Sequence, residues 1–291
     1  MTMQVGSRRA VVGGLVRSCH PGPTVAVTAL TALLAAAGRA QLGSMVPPER
    51  AADPAPSLVV GGLLVAAVLA GQLSIGWSND LIDADRDRKA ARPDKPLARD
   101  QVSASVVRIA ALAALAAAVA LSASLGWRAA GVHLVLVVGS GWAYNLGLKA
   151  SVWSWVPYAV AFGSLPAVVQ LVGSGRWSWP PLWMMTVGAL LGVGAHLLNV
   201  LPDLADDERA GIRGLAHRLG EGWTRVLGPL LLLWGSVVLV LAPSGPVPGW
   251  AWVILAVCVL LAVVAWTTRG RTPFVAAIGI ALVDVAGLAL R

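Results

Sequence analysis

The feature that most constrains this chain is a succession of long apolar runs, which recur along its whole length. A helix needs about 20 mostly apolar residues to cross the hydrocarbon core of a bilayer. Only 12% of the residues are charged, against about 25% in an ordinary soluble domain. Because no polar stretch is long enough to form a separate soluble domain, we predict a single membrane-embedded domain over residues 1–291.

The apolar runs and the Pro-, Gly- and charge-rich connectors between them predict an all-α bundle of nine transmembrane helices. The predicted spans cover residues 22–40, 58–78, 102–124, 129–147, 153–173, 182–201, 224–242, 251–267 and 273–290. Cys19 and Cys258 are far apart in sequence and lie in or near apolar segments. This placement favours two small buried side chains over a disulfide or a metal-binding pair.

The basic residues indicate how the chain is oriented. If the N-terminus is cytoplasmic, 17 of the 22 Lys and Arg residues fall on the cytoplasmic side and five on the other. The positive-inside rule then predicts a multi-pass protein of the cell membrane with a cytoplasmic N-terminus and an external C-terminus. Topology therefore explains the net charge of +8, and we expect the bilayer as a partner and no nucleic acid.

The acidic residues are concentrated in two connectors. Of the 14 Asp and Glu residues, 11 lie in the segments 79–100 and 199–221. Acidic residues contribute little to membrane orientation, so topology does not explain this concentration. Each segment contains an Asn followed at four-residue intervals by two Asp residues, which are Asn79, Asp83 and Asp87 in the first and Asn199, Asp203 and Asp207 in the second.

The two triplets stand at a constant offset of 120 residues. This offset predicts a parallel internal repeat, with spans 1–4 corresponding to spans 5–8. Because an even number of spans separates the triplets, both face the same side of the membrane. Residues four apart on a helix are rotated by only about 40°, so each triplet is predicted to form one stripe where its helix leaves the bilayer. Asp85 and Asp206 lie off these stripes.

Two facing stripes of carboxylates require cations. Two like charges about 4 Å apart repel by roughly 4 kcal/mol at an effective dielectric constant near 20. Oxygen ligands favour Mg²⁺ over Zn²⁺, and Mg²⁺ commonly bridges carboxylates to phosphates. The alternative is two acidic helix ends in water, and the matched repeat favours the metal site over it. Arg92 and Lys95 suit an anionic ligand, and Tyr144 and Lys149 approach the same face from a third connector.

These motifs resemble those of the UbiA superfamily of intramembrane prenyltransferases. The first motif of that family appears as Asn79-Asp80-x-x-Asp83-x-x-x-Asp87, followed by Arg92-Pro93-x-Lys95-Pro96-Leu97. The second appears as Asp203-x-x-x-Asp207, with Gly211 four residues later. Tyr144 and Lys149 match a Tyr-Lys element, with four residues between them where many members have three. The resemblance covers essentially the whole chain.

The resemblance implies an Mg²⁺-dependent enzyme that ionises a prenyl diphosphate, releases diphosphate and passes the prenyl group to a small acceptor, expected to be aromatic. It implies that the metal and the diphosphate are held by Asp80, Asp83, Asp87, Asp203 and Asp207. Catalysis would involve the last four of these together with Tyr144 and Lys149. The substrate-binding candidates are Asn79, Arg92, Lys95 and Asn199, and from their positions alone also Arg213 and His196. A hydrogen-bonded interior role is the competing interpretation of His196.

Departures from the family pattern leave the acceptor open. His20-Pro21 stands where many members have Arg-Pro, and Gly214 where the second motif often ends in Thr. A membrane terpene cyclase of the same superfamily is an alternative, since it uses the same metal chemistry but quenches the cation internally. A cation transporter is a more distant alternative, because transport sites usually lie near the bilayer midplane, whereas the acidic residues here lie at one face of the membrane. His133 and Asp284, inside predicted spans, are either functional groups or partners in hydrogen bonds between helices.

Overall fold

The computed structural model describes residues 8–45, 58–90, 92, 95–209 and 211–290, and every regular element within these ranges is helical. The α-helices are α1 (Arg8–Ser18), α2 (Pro21–Met45), α3 (Leu58–Lys89), α4 (Ala104–Ser124), α5 (Trp127–Gly131), α6 (Gly139–Leu146), α7 (Val156–Leu171), α8 (Leu182–Val200), α9 (Leu204–Arg209), α10 (Leu215–Leu241), α11 (Gly249–Thr267) and α12 (Thr272–Ala289). A π-helical segment, Val132–Val138, joins α5 to α6. Short 3₁₀ turns follow α6 at Leu148–Ala150 and α8 at Leu201–Asp203.

The nine predicted spans are all helical. They correspond to α2, α3, α4, the continuous unit from α5 to α6, α7, α8, α10, α11 and α12. Within the described ranges, eight helical stretches are long and apolar enough to cross a bilayer, and the ninth, α7, is a shorter apolar helix of 16 residues. The all-α membrane bundle is therefore confirmed. Helix α1 was not predicted, because Arg8, Arg9 and Arg17 interrupt its apolar residues.

Helix α3 is too long to lie entirely within the bilayer. Its 32 residues extend about 48 Å at 1.5 Å per residue, whereas the hydrocarbon core is about 30 Å thick. Helix α4 begins beside the connector that follows α3, where the Ser103 hydroxyl accepts a hydrogen bond from the Val106 backbone N–H at 3.4 Å. Because α3 is longer than the apolar layer is thick, its acidic end extends beyond that layer as an ordered helix.

Close helix packing holds each half of the bundle together. Helix α3 packs along α4, and α8 packs along α10, which are corresponding pairs in the predicted repeat. A Cβ on Gly194 of α8 would lie 2.9 Å from the Gly228 carbonyl oxygen of α10, and a Cβ on Gly76 of α3 would overlap the Cys19 carbonyl. Small residues at such crossings let membrane helices approach closely. Gly76 therefore brings the start of α2 against the acidic end of α3.

The two predicted intramembrane polar groups form hydrogen bonds between helices. The Ser122 hydroxyl of α4 lies 2.8 Å from His133 Nδ1 in the π-helical segment. The Asp284 carboxylate of α12 accepts hydrogen bonds from the Ser236 hydroxyl at 2.8 Å and from the Cys258 thiol at 3.4 Å. Cys19 and Cys258 are both free and buried, as predicted.

Candidate active site

The first acidic segment forms a single stripe on α3. Asp80, Asp83 and Asp87 are buried, at 1%, 7% and 9% exposure. The Asp85 side chain, by contrast, is 91% exposed and pairs with Arg88 at the surface. The helical spacing thus places Asp83 and Asp87 on one face and leaves Asp85 in water, as predicted, and Asp80 lies on the same buried side.

The second acidic segment differs from the prediction of one continuous helical stripe. Helix α8 ends at Val200, a 3₁₀ turn contains Pro202 and Asp203, and Asp207 lies on the separate helix α9. Pro202 explains the break, because proline has no N–H to donate and its ring clashes with the carbonyl four residues earlier in a continuing helix. The triplet that begins at Asn199 is therefore carried by three elements rather than one.

Arg92 joins the second acidic segment to the connector after the first. Its Nη2 lies 3.2 Å from Asp203 Oδ1, and its Nη1 lies 3.9 Å from Asp207 Oδ1. The Arg92 side chain is only 13% exposed, whereas the Asp203 side chain is 37% exposed, so the contact is partly shielded from water. The structure thereby brings together two carboxylates and one cation that were predicted to act on the same ligand.

Lys95 lies among the carboxylates of the first segment. Its Nζ donates a hydrogen bond to Asp80 Oδ1 at 2.8 Å and lies 4.0 Å from Asp87 Oδ2. Burial alone lowers the pKa of Lys95, but the charge of Asp80 and its hydrogen bond outweigh burial and raise that pKa above its ordinary value. Lys95 is therefore a fixed positive charge in the site.

Lys149 reaches the same stripe from the turn after α6. Its Nζ donates a hydrogen bond to Asp83 Oδ2, and Arg86 donates one to Asp83 Oδ1 at 2.8 Å. Burial lowers the pKa of Lys149, and the Asp83 carboxylate offsets this effect only in part. The single Lys of the third connector is thus placed on the first acidic stripe, as its spacing from Tyr144 suggested.

Asn79 is positioned by Asn145. The Asn79 side-chain amide donates a hydrogen bond to Asn145 Oδ1 at 3.0 Å. Asn145 in turn donates to the Ile75 carbonyl oxygen at 2.8 Å and to the Ser78 hydroxyl at 2.9 Å. These bonds fix the end of α6 against α3. Spacing along the chain does not single out Asn145, because its role depends on contacts 66 or more positions away.

Below the charged residues lies a cavity of about 240 Å³. Asn79 and Asn199, the first residues of the two triplets, both line it, together with Tyr144, Tyr158 and Phe162. Its remaining wall is largely apolar and comes from α2, α3, α6, α7, α8 and α12. The arrangement places charge at one end of the cavity and apolar surface along its length.

Aromatic rings form one wall of the cavity. The Tyr144 and Tyr158 rings meet edge to face with centroids 5.2 Å apart. The His196 ring stacks on Tyr158 at 4.3 Å and is 1% exposed. His196 therefore lies behind the tyrosines, with its Nε2 3.4 Å from the Ser154 hydroxyl. This position agrees better with the interior, hydrogen-bonded role than with direct contact to a substrate.

Two histidines join the site without having been assigned to it from sequence. His20 Nε2 lies 3.2 Å from Asp80 Oδ1 and 3.2 Å from Lys95 Nζ. His217 Nε2 lies 3.8 Å from Asp207 Oδ2. The departure from Arg-Pro at His20-Pro21 drew attention to the first of them, whereas no motif marked the second. Arg213, a predicted ligand, is 69% exposed and pairs with Glu208 at 3.5 Å instead of with the two triplets.

The donor atoms of this centre suit Mg²⁺. The five predicted ligands offer only carboxylate oxygens, the atoms that Mg²⁺ prefers, and Asp80 Oδ2 is buried without a hydrogen-bond partner. Within the described ranges, no three His, Cys, Asp or Glu side chains are close enough together to hold a metal ion. Arg92, Lys95 and Lys149 are paired with these carboxylates instead. The chemistry of these donor atoms therefore fits a hard divalent cation.

A sequence model of the UbiA prenyltransferase family matches residues 25–278. This range includes both acidic segments and the Tyr144–Lys149 connector. No curated protein matches the sequence.

Solved structures of UbiA homologs share the fold. An apo structure of a homolog from Aeropyrum pernix K1 is 17% identical, with a TM-score of 0.69, over 90% of this chain and 96% of that one. A homolog from Archaeoglobus fulgidus bound to DMAPP and Mg²⁺ is 16% identical, with a TM-score of 0.65, over 95% of this chain and 99% of that one. A homolog from Archaeoglobus fulgidus bound to GPP and Mg²⁺ is 16% identical, with a TM-score of 0.66, over 96% of this chain and 100% of that one. At these identities the similarity establishes the fold.

Proposed function

Because the chain belongs to the UbiA prenyltransferase family, we propose that it is an intramembrane transferase that moves the prenyl group of a prenyl diphosphate to a small acceptor. The bond between the prenyl carbon and the phosphate oxygen breaks, and the oxygen keeps the electron pair and leaves as diphosphate. A nucleophilic atom of the acceptor then bonds to the prenyl carbon and loses a proton.

One observation carries this proposal: two acidic segments and three buried or partly buried cations lie at one end of a largely apolar cavity. A prenyl diphosphate has the same division, with a charged head and an apolar tail. The head fits among Arg92, Lys95 and Lys149, and the tail fits along the apolar wall. A cavity that separates these two environments suits an amphipathic substrate better than it suits a bare ion.

The carboxylates of Asp80, Asp83, Asp87, Asp203 and Asp207 would hold Mg²⁺. When bound, Mg²⁺ supplies positive charge that stabilises the departing diphosphate. The Archaeoglobus fulgidus homolog in complex with DMAPP or GPP and Mg²⁺ supports this part of the proposal.

The basic residues act on the same leaving group. Arg92, Lys95 and Lys149 bind phosphate oxygens and stabilise the negative charge that develops on them as the carbon–oxygen bond breaks. Each cation is already held in place by a carboxylate, so little reorganisation is needed during the reaction. Asn79 and Asn199 orient the head group from the rim of the cavity.

The aromatic wall acts on the other product of ionisation. The faces of aromatic rings attract cations, and this attraction amounts to about 2 kcal/mol or more when the pair is shielded from water. Tyr144 and Tyr158 line the cavity just beside Asn79 and Asn145, where the allylic carbon of the bound substrate would lie. Their rings stabilise the allylic cation, and the apolar wall keeps water away from it.

We further propose that the charged end of the site faces the cytoplasm, with the N-terminus on the same side and the C-terminus outside. The distribution of Lys and Arg residues supports this orientation through the positive-inside rule. Cysteine labelling from the two sides of sealed vesicles tests it, at Arg88→Cys for the cytoplasmic side and at Trp177→Cys for the opposite side.

The decisive experiment uses purified protein, Mg²⁺ and prenyl diphosphates of graded length, with and without a membrane extract, analysed by mass spectrometry. Prenylated acceptor and diphosphate are the expected products. Asp83→Ala and Asp203→Ala should abolish turnover, whereas Asp85→Ala, at an exposed position, should retain it. A cyclic hydrocarbon or alcohol formed without acceptor would instead identify a cyclase. Mg²⁺ uptake into proteoliposomes without any prenyl diphosphate would identify a transporter.

A further inference from the structure

We propose that helix α1 binds the headgroups of anionic phospholipids through its exposed side, and that this contact holds His20 in place beside Asp80. The inference goes beyond the proposed transfer reaction, because it concerns the membrane surface around the charged end rather than the substrates. Three features of the structure support it, which are the side chains that α1 leaves exposed, the level at which α1 is held, and the short connection from α1 to His20.

Helix α1 has two distinct sides. Residues three, four and seven apart lie on the same side of a helix, and Gly14 and Ser18 are buried at this spacing. Val12 and Val16, also four residues apart, are instead 60% and 53% exposed. An exposed arginine lies near each valine on the same side. These four residues form the outward face of α1, which is Arg9, Val12, Val16 and Arg17.

The opposite side of α1 is packed against the bundle. The Leu15 carbonyl oxygen accepts a hydrogen bond from Trp77 Nε1 of α3 at 2.9 Å. Leu15 also belongs to an apolar cluster with Val107 of α4. A Cβ on Gly14 would lie 3.0 Å from Val102 Cβ, just before α4. Helix α1 is therefore held on the outside of α3 and α4, and its outward face points away from the bundle.

Two contacts place α1 at the level of the phospholipid headgroups. The span predicted for α3 ends at residue 78, and Trp residues favour the boundary between membrane and water, so the bond to Trp77 fixes the end of α1 at that boundary. Helix α2, which crosses the bilayer, begins at Pro21, and α1 ends at Ser18. The chain between these two residues spans at most about 11 Å. The outward face therefore lies where headgroups are present.

The composition of the outward face suits anionic headgroups. A helix that lies in the membrane surface combines apolar side chains with basic ones, which reach the lipid phosphates. Arg17 is held in place by Gln101, whose side-chain oxygen accepts its hydrogen bond at 2.7 Å. The neighbouring carboxylate of Asp100 lies 3.8 Å from Arg88. An acidic protein would also pair with the arginines, but the lipid surface is already present at this level, so we favour the lipid.

A short connection links α1 to the charged end of the active site. The Cys19 N–H donates to the Leu15 carbonyl oxygen at 3.2 Å, and the Cys19 carbonyl oxygen accepts from the Thr24 hydroxyl at 2.8 Å. His20 follows with a φ of 55°, a conformation that is uncommon for a residue with a side chain and that persists where its surroundings hold it. Its Nε2 lies 3.2 Å from Asp80 Oδ1. Anchoring α1 therefore also holds His20.

Quenching of a fluorophore on α1 measures the lipid contact. Cys19 and Cys258 are buried, so Val12→Cys gives the full-length protein one accessible thiol for the label. The labelled protein is placed in phosphatidylcholine vesicles that contain a small, equal amount of nitroxide-labelled phosphatidylglycerol or phosphatidylcholine. We expect phosphatidylglycerol to quench at least about threefold more strongly, because basic residues at a membrane surface attract anionic lipids. Equal quenching by the two lipids, or quenching by neither, would overturn the inference.

Charge variants locate the preference. Arg9→Gln/Arg17→Gln should remove it, and so should about 1 M salt, which shortens the screening length to about 3 Å. The matched control is Arg269→Gln/Arg271→Gln, which removes the same charge from two exposed residues between α11 and α12 and should keep the preference. A preference that survives the loss of both α1 arginines contradicts the proposed site. If that variant does not fold, the effect of salt on the unaltered protein still decides.

Diphosphate release tests the link to His20. At saturating prenyl diphosphate, we expect kcat to be at least about twofold higher with phosphatidylglycerol than in phosphatidylcholine alone, because a ligand raises the population of the arrangement that it favours. Arg9→Gln/Arg17→Gln should lose this increase. A lipid preference without any change in kcat contradicts the link to His20. Absence of diphosphate release in every lipid contradicts the proposed function, whereas the quenching measurement still decides the lipid site.

Discussion

Lys149 donates a hydrogen bond to Asp83 across 66 positions of the chain. This contact joins the 3₁₀ turn after α6 to the middle of the acidic stripe on α3. Both side chains are buried, at 6% and 10% exposure. The pair therefore holds one cation and one carboxylate of the candidate site in fixed positions before any substrate binds.

Replacement of Lys149 by Met should reduce diphosphate release by about a hundredfold or more. The variant loses a cation that we propose binds the leaving group, and loss of one group that stabilises developing negative charge costs about 10²–10³ in kcat. The measurement is diphosphate release at saturating substrate. Arg88→Met removes a half-exposed cation from the same region and should remain within about twofold of the unaltered protein.

The activity should decline at alkaline pH through Lys149. Because burial lowers its pKa from the ordinary value of 10.5, Lys149 loses its positive charge at a lower pH than an exposed lysine does. In Lys149→Arg the guanidinium keeps its charge throughout this range, so the alkaline decline should move to higher pH. Profiles of kcat/KM from about pH 7 to pH 10, each normalised to its own maximum, make the comparison, and coincident profiles would contradict it.

Asp80→Asn should weaken Mg²⁺ binding by about tenfold or more. Asp80 is 1% exposed, and its Oδ2 atom has no hydrogen-bond partner, so the substitution removes a free oxygen ligand and a negative charge together. The measurement is the Mg²⁺ concentration needed for a prenyl diphosphate to raise the melting temperature. Asp85→Asn, at a side chain that is 91% exposed, serves as the control and should need the same concentration as the unaltered protein.

Tyr144 should act through its ring rather than through its hydroxyl. Tyr144→Phe keeps the aromatic face and should retain kcat within a few-fold. Tyr144→Ala removes that face, and loss of about 2 kcal/mol of cation stabilisation corresponds to a decrease in kcat of roughly thirtyfold. Single-turnover rates of prenyl diphosphate ionisation provide the test. Equal losses in the two variants would assign the effect to the hydroxyl.

Gly76→Ala should strongly destabilise the protein. A Cβ at this position would overlap the backbone carbonyl of Cys19, and a backbone atom cannot move aside as the end of a flexible side chain can. We expect a clear drop in the detergent melting temperature, with loss of the contact between His20 and Asp80. Gly61→Ala lies on the same helix with nothing within 4 Å of the added Cβ, and its melting temperature should be unchanged or slightly higher.

The spans and the acidic stripe on α3 could be predicted because each depends on local spacing. Apolar runs define the helices, and four-residue intervals place Asp83 and Asp87 on one face. The neutralisation of these carboxylates could not be predicted in the same way. His20, Lys95 and Lys149 come from three different connectors, and only the packing of α2, α3 and α6 brings them to the same stripe.

The break at Pro202 could have been predicted from the chemistry of proline, but the regular spacing from Asn199 to Asp207 favoured a continuous helix. His217 lacks any local signal, since it approaches Asp207 only because α10 packs beside α9. Tyr158 likewise comes from the start of α7 and meets Tyr144 through tertiary contact. Residues supplied by neighbouring helices are therefore the part of the site that sequence spacing leaves out.

The break at Pro202 also gives the two acidic segments unequal mechanical stiffness. Asp80, Asp83 and Asp87 belong to one uninterrupted helix, whose backbone hydrogen bonds resist bending. Asp207 lies on a separate short helix, which follows α8 after a turn that lacks the N–H of Pro202. Tilting α9 therefore breaks fewer backbone hydrogen bonds than bending α3 does, so we expect the second acidic segment to move more than the first when the charged end widens.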